Sequence, residues 1–281
     1  MNSVPTLSDT APPARRLIDP TALEQHRRRA ARQGPTDLLH RIAAEEIQDR
    51  LAEINRPFTR VAIVTSWPDF WKDAFPDAHV ISDAALLDLP EGLDLVVHAM
   101  ALHWAEDPVG QIVQCARALK PDGLFIAAMM GGDTLLELRD TLSRAEIEAT
   151  GGLSPRILPM GEIRDLGALL SRAGLALPVA DHLPLQVSYR DLFHLATDLR
   201  AMAESNALND RLRRPTRREV FARAAADYAL RYPDPANAAR IIATFDMIFL
   251  TGWAPDASQQ KPLRPGSAKA SLIDALTPRE T

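Results

Sequence analysis

Cysteine is nearly absent: Cys115 stands alone in 281 residues, which excludes an internal disulfide and a cysteine-rich metal site. Its helical setting, Val109 to Leu119, makes it a small core residue. Lysine is scarce too, with Lys72, Lys120, Lys261 and Lys269 the full set, so arginine carries nearly all the positive charge. The net charge of -5 gives no global attraction to nucleic acid, and the N-terminal arginines lack the interleaved aromatics of a nucleic-acid surface. No run approaches the roughly 18 consecutive apolar residues of a spanning helix, and the N-terminus lacks the apolar core of a signal peptide. The expectation is a soluble, cytoplasmic protein in a reducing compartment. The most telling absence is glycine, of which there is none from Pro35 to Glu91.

What is present is clearest from Asp94 to Thr134. This stretch reads as a buried strand (Leu93 to Met100), a loop with His103 and Trp104, a helix, a Pro121-Asp122-Gly123 turn and a second buried strand (Leu124 to Met130) ending in Gly131-Gly132-Asp133-Thr134. Upstream, Arg60 to Ser66 is a β-branched run that predicts the first central strand, and His79 to Ser82 predicts a brief one. Strands alternating with helices define an α/β, doubly wound Rossmann-like sheet. Val61 and Asp94 are 33 residues apart (94 minus 61). A single βαβ unit takes roughly 30 residues or more, so the first half is shortened, with one strand–helix unit lost or reduced to a loop.

Helices flank this sheet. Leu38, Leu39, Ile42, Ala43, Ile47 and Leu51 recur at helical spacing, with Thr36 or Asp37 as cap. Thr134 to Glu137 and Thr216 to Glu219 each fit a capping box. Gly174 is placed to end a helix over Gly161 to Ala173. Asp191 to Ala203 is amphipathic, and Glu204-Ser205-Asn206 ends it, either as part of a lid or as a cap with Asn206 left-handed. Ile241 to Gly252 predicts a last strand paired with Leu183 to Val187. Arg15 to Gln33 is rich in arginine and reads as a patch for an acidic partner or as a solvated helix surface. The organisation expected is a disordered N-terminus (1–14), N-terminal helices (15–57), an α/β domain (58–275) with added C-terminal helices in an insert at about 190–235, and a tail (276–281).

Seven segments sharpen this: LHW, LKPDG, FIAAMMGGDTLLELR, GGLSPRI, DLGALLSRAG, AESNA and GWAP…GSA, in that order. Together they resemble a branch of the class I S-adenosylmethionine (SAM) methyltransferases that contains the mitochondrial assembly factor of respiratory complex I, its bacterial relatives, and the malonyl-carrier-protein methyltransferase of biotin synthesis. The resemblance implies a methyltransferase fold, a role in complex I biogenesis with a complex I subunit as protein client, and protein arginine hydroxylation as an activity. A client at the respiratory chain implies a position peripheral to the inner membrane. SAM is the implied cofactor. Its usual cradle is a glycine turn after the first strand, where the backbone approaches the ligand without a Cβ clash. Here Ser66, Trp67 and Pro68 occupy that turn, and proline also removes a donor.

The candidate residues follow the sheet's carboxyl edge, where such folds bind ligands. Ser66, Asp83, His103 and Trp104 are candidates for the cofactor. Asp83 stands in for a ribose-binding acid or simply ends its strand. His103 is a general base or caps a loop; Trp104 stacks on a flat ligand or plugs the core. Asp133, Glu204 and Asn206 join His103 as catalytic candidates. Gly131, Gly132, Thr134, Arg156 and Ser205 are candidates for substrate. The paired glycines offer backbone N–H groups to an anion, and Arg156 offers a fork to a carboxylate. His98 and His103 have no carboxylate spaced to complete a metal site. Three functions stay open: an assembly factor with a degenerate cofactor motif, an active SAM-dependent methyltransferase with a divergent pocket, and a protein arginine hydroxylase.

Overall fold

A computed structural model describes residues 16–260. The segments expected as a disordered N-terminus (1–14) and as a tail (276–281), and the Gly266-Ser267-Ala268 end of the last motif, lie outside the described residues. Two helices come first, α1 (Pro20–Gln33) and α2 (Leu38–Glu53). Then follow β1 (Val61–Thr65), α3 (Pro68–Ala74), β2 (His79–Ile81) and β3 (Leu93–Ala99). The residues between β2 and β3 form no helix or strand, which matches the shortened first half read from spacing. A 3-10 turn (Leu102–Trp104), α4 (Pro108–Ala118), β4 (Leu119–Gly131), α5 (Leu136–Thr150) and α6 (Ile163–Arg172) come next. The chain then runs through β5 (Ala176–Tyr189), α7 (Leu192–Ala201), α8 (Arg218–Arg231), β6 (Pro233–Asp234) and β7 (Asn237–Trp253).

The strand order is β2-β1-β3-β4-β7-β5, with β6 paired to β7. The first three pairings are parallel and the last two antiparallel. β3 is buried at all seven positions, as a parallel strand covered on both faces must be. Leu183 pairs with Met247 and Val187 with Ala243, as the sequence predicts. The Pro121-Asp122-Gly123 turn survives as a bulge inside β4: Leu93 pairs with Leu119, Leu95 with Leu124, and Asp122 takes φ +59°. Alternate residues divide the core. Leu95, Val97 and Ala99 pack with α2, α5, α7 and α8; Val96 packs with α4 and α6. A third cluster joins Ile18, Ala22 and Leu23 to Trp104, Leu158, Ala207 and Leu208, so α1 rests on the 3-10 turn and the segment after α7. Cys115 is fully buried, its thiol pushed up to about 12 by burial.

Both expected capping boxes are corrected. α5 is entered through Leu135 at φ +55° with no side-chain cap. Glu137 instead accepts from the Thr244 N–H (3.1 Å) and Oγ1 (2.5 Å) on β7, while Thr134 Oγ1 accepts from the Asp246 N–H (2.9 Å). Thr216 Oγ1 accepts from Arg156, and Glu219 pairs with Arg223. α7 ends at Ala201, and Ala203 rather than Asn206 is left-handed (φ +65°). Asp37 precedes α2 without capping it, its carboxylate paired with Arg41.

Candidate functional site

The three parallel strands β1, β3 and β4 deliver their carboxyl ends to one edge. At the end of β1, Thr65 Oγ1 accepts from the Trp67 N–H (3.1 Å) and turns the chain into α3, which Pro68 opens. The Trp67 ring stacks on His40 of α2, with centroids 4.4 Å apart. Trp71 Nε1 donates to His40 Nδ1 at 3.0 Å. Burial holds His40 down to about 3, helped by the nearby His103, so His40 is neutral with its proton on Nε2. Between this corner and α1 lies a cavity of about 230 Å³, lined among others by Arg27, Asp37, Ser66, Trp67, Asp69 and Phe70.

Asp83 follows β2 with its carboxylate already engaged. Arg27 Nη1 and Nη2 of α1 donate to Oδ1 (3.0 Å) and Oδ2 (2.7 Å), a bidentate pair with side chains 19% and 10% exposed. Gln111 of α4 donates to the carbonyls of Asp83 (3.4 Å) and Ala84 (3.1 Å). The orientation of that amide fixes a neighbour on β3. Gln111 Oε1 faces His98 Nε2 at 2.6 Å, so Nε2 carries the proton. Burial holds His98 down to about 4, and its Nδ1 is a buried lone pair with no partner among the described residues.

Past β3, His103 and Trp104 sit together on the 3-10 turn and share one carboxylate. Trp104 Nε1 donates to Glu204 Oε2 at 3.0 Å, and His103 Nε2 faces Oε1 at 3.3 Å. His103 Nδ1 is also buried, with no partner among the described residues. Glu204, a catalytic candidate on sequence, thus orients two others.

The remaining candidates go elsewhere. Gly132 N–H donates to Gly161 O (2.9 Å), Asp133 N–H to Asp246 Oδ2 (3.4 Å), and Thr134 N–H to Gly131 O (3.1 Å). These N–H groups are spent inside the protein, which corrects the anion-binding expectation. The glycines answer to packing: a Cβ on Gly132 would stand 2.0 Å from Asp246 Oδ2, and one on Gly131 2.6 Å from Ile248. Arg156 does fork a carboxylate, but its own Glu146 (2.9 and 2.8 Å). Asn206 Nδ2 donates to Pro155 O, and Ser205 is half-buried beside it. Sequence reasoning missed Arg27, His40, Gln111 and the His182–Asp246 pair (2.9 Å). For Arg27 the signal was the arginine run itself, which could not say which guanidinium meets an acid. Among the described residues, no group of three or more His, Cys, Asp or Glu side chains is arranged to hold a metal ion, and no helix is long and apolar enough to cross a membrane.

A mixed sheet wound on both faces, with polar side chains gathered at its carboxyl edge, defines a Rossmann-like methyltransferase-fold protein, and residues 44–127 match the methyltransferase domain family. The chain belongs to the family of the mitochondrial arginine-hydroxylase NDUFAF5. It is 33% identical to the Rattus norvegicus protein of that name over 310 aligned positions, covering 100% of this chain and 90% of that one. Against the Dictyostelium discoideum protein of the same name, identity is 44% over 179 residues, 64% of this chain and 41% of that one, so the match spans less than half of that relative. The malonyl-[acyl-carrier protein] O-methyltransferase of Xylella fastidiosa (strain M23) is 31% identical over 182 residues, 64% of this chain and 58% of that one.

The fold implies SAM, and the residues at the expected place do not fit it. Pro68 offers no N–H, Trp67 is packed on His40, and both Asp83 oxygens hold Arg27. A nucleoside there needs close backbone approach and an acid placed for its ribose; Trp67 and Pro68 crowd the first, and the acid at the end of β2, Asp83, is already paired with Arg27.

Proposed function

We propose that this protein is an assembly-factor-like member of its family, whose methyltransferase fold holds a protein client and whose cofactor motif is degenerate. The observation that carries the reading is the Arg27–Asp83 pair beside the Trp67–Pro68 corner, where a cofactor cradle is expected. The client is suggested by the family resemblance: a subunit of respiratory complex I. Calorimetric titration with SAM and S-adenosylhomocysteine tests the motif. The expected dissociation constant is weaker than roughly 1 mM, about -4 kcal/mol; micromolar binding restores the reading of an active methyltransferase with a divergent pocket. Pull-down from a native extract tests the client, with a complex I subunit the expected enrichment and none of its subunits the contrary result.

The arginine-hydroxylase relatives favour a second reading, arginine hydroxylation. It would appear as the mass of one oxygen gained on a client arginine.

A further inference from the structure

We propose that the cavity between the end of α5, with the loop that follows it, and the segment entering α8 binds a phosphate monoester of a small organic molecule. The cavity measures about 320 Å³, within the range of small-ligand sites. Its charged wall is Glu146, Arg156, Arg214 and Arg217. Glu146 is already spent. Arg156 forks it at 2.9 and 2.8 Å, and Ser154 donates to it from its hydroxyl (2.8 Å) and its N–H (3.1 Å). Two donors on each oxygen fill the carboxylate's lone-pair sites. Arg214 and Arg217 have no polar partner among the described residues. Three guanidiniums thus face one satisfied carboxylate, which leaves an excess of two positive charges on the wall. A phosphate monoester carries about -1.5 to -2 at neutral pH, which matches that excess. Other donors converge on the same space. Arg156 Nη1 donates to Thr216 Oγ1 at 3.0 Å, so the Thr216 proton stays available. α8 opens beside it with no side-chain cap, and an uncapped helix start favours an anion. Two free guanidiniums and a hydroxyl exceed what the two oxygens of a carboxylate use, and suit the three terminal oxygens of a phosphoryl group. Leu153, 61% exposed, and Leu212 add apolar surface to the wall, where the organic part rests. This cavity shares no lining residue with the one at the Trp67 corner, and the proposal is independent of the client reading.

The test titrates the full chain with phenyl phosphate, inorganic phosphate and benzoate, read by calorimetry at low salt, where charge is least screened. Phenyl phosphate is expected to bind with a dissociation constant below about 1 mM, and at least about tenfold tighter than inorganic phosphate or benzoate. Arg214 and Arg217 are exposed, so replacing both by glutamine leaves the core intact. The double variant is expected to weaken phenyl phosphate by at least about tenfold. Arg32→Gln on α1 removes charge away from the cavity and is expected to change the affinity less than about twofold. Should the double variant be too unstable to titrate, Arg214→Gln and Arg217→Gln taken singly are each expected to weaken phenyl phosphate by at least about threefold. Absence of phenyl phosphate binding by the unaltered chain overturns the proposal. So does benzoate or inorganic phosphate binding as tightly, an affinity unchanged when both arginines are replaced, or an equal loss in Arg32→Gln.

Discussion

At the scale of single residues, partner geometry decides what a motif means. Gly131-Gly132 resembles an anion cradle on the page, yet its N–H groups point at Gly161 and Asp246. Gly132→Ala puts a Cβ 2.0 Å from Asp246 Oδ2 at φ +49°. Left-handed strain contributes about 1 kcal/mol and overpacking about 1–3 kcal/mol, so a loss of about 2–4 kcal/mol is expected from urea unfolding. Gly151→Ala is the control: φ is +71° with nothing within 4 Å, so only the strain of about 1 kcal/mol remains. Equal losses at the two positions would refute the packing account. Glu204 is a second case. It meets both His103 and Trp104, which lie 101 and 100 residues before it. We expect Glu204→Ala to shift tryptophan emission as Trp104 loses its acceptor, and unchanged emission would count against the assignment.

Among elements, α1 shows how a helix is attached to a sheet it does not touch as a strand neighbour. Asp19 caps it, accepting from the N–H groups of Thr21 and Ala22, and meets Arg211 (2.9 Å) and Arg213 (3.3 Å). Those hydrogen bonds hold the Asp19 carboxyl below its usual range. Asp19→Ala loses the cap, and we expect faster hydrogen exchange confined to α1 and the 204–213 segment, with β3 and β4 amides unaffected. Acceleration spread over the central strands would mean that α1 does not open as a separate unit. The strands were legible because their signal is local. β1 is a continuous β-branched and apolar run, β3 is apolar apart from Asp94 and His98, and the LKPDG turn announced β4 even though it survives only as a bulge. The capping boxes were misread because their competing partners are distant: Glu137 found Thr244 and Thr134 found Asp246, each over a hundred residues away. Separation along the chain also hid the Arg27–Asp83 pair, 56 residues apart, since α1 carries four arginines and only its packing selects one.

For the whole molecule, buried histidines set the acid limit of the fold. His40 is held down to about 3 and His98 to about 4, burial being the first cause in each. In the unfolded chain both titrate near 6.5. Below that value the unfolded state binds protons that the folded state refuses, so stability falls as pH falls. The loss begins near pH 6.5 and continues to the folded values, amounting to about 2 kcal/mol per histidine at pH 5. Carboxylates act over a different window. Burial raises the Asp94 carboxyl, but the Lys120 ammonium and the N–H groups of Arg60 and Thr59 outweigh it and hold the group well below the ordinary range. Its contribution is therefore intact above about pH 4 and is lost only under stronger acid. A melting-temperature series from pH 8 to 4.5 is expected to hold level above pH 7 and drop steadily below 6.5. His98→Gln keeps a neutral side chain beside Gln111 and removes one titration, so its curve should be flatter between pH 6.5 and 5 whatever its absolute stability. A parallel drop in both proteins would show that His98 takes up its proton in the folded state at ordinary pH, and would remove the argument that its buried Nδ1 is a lone pair.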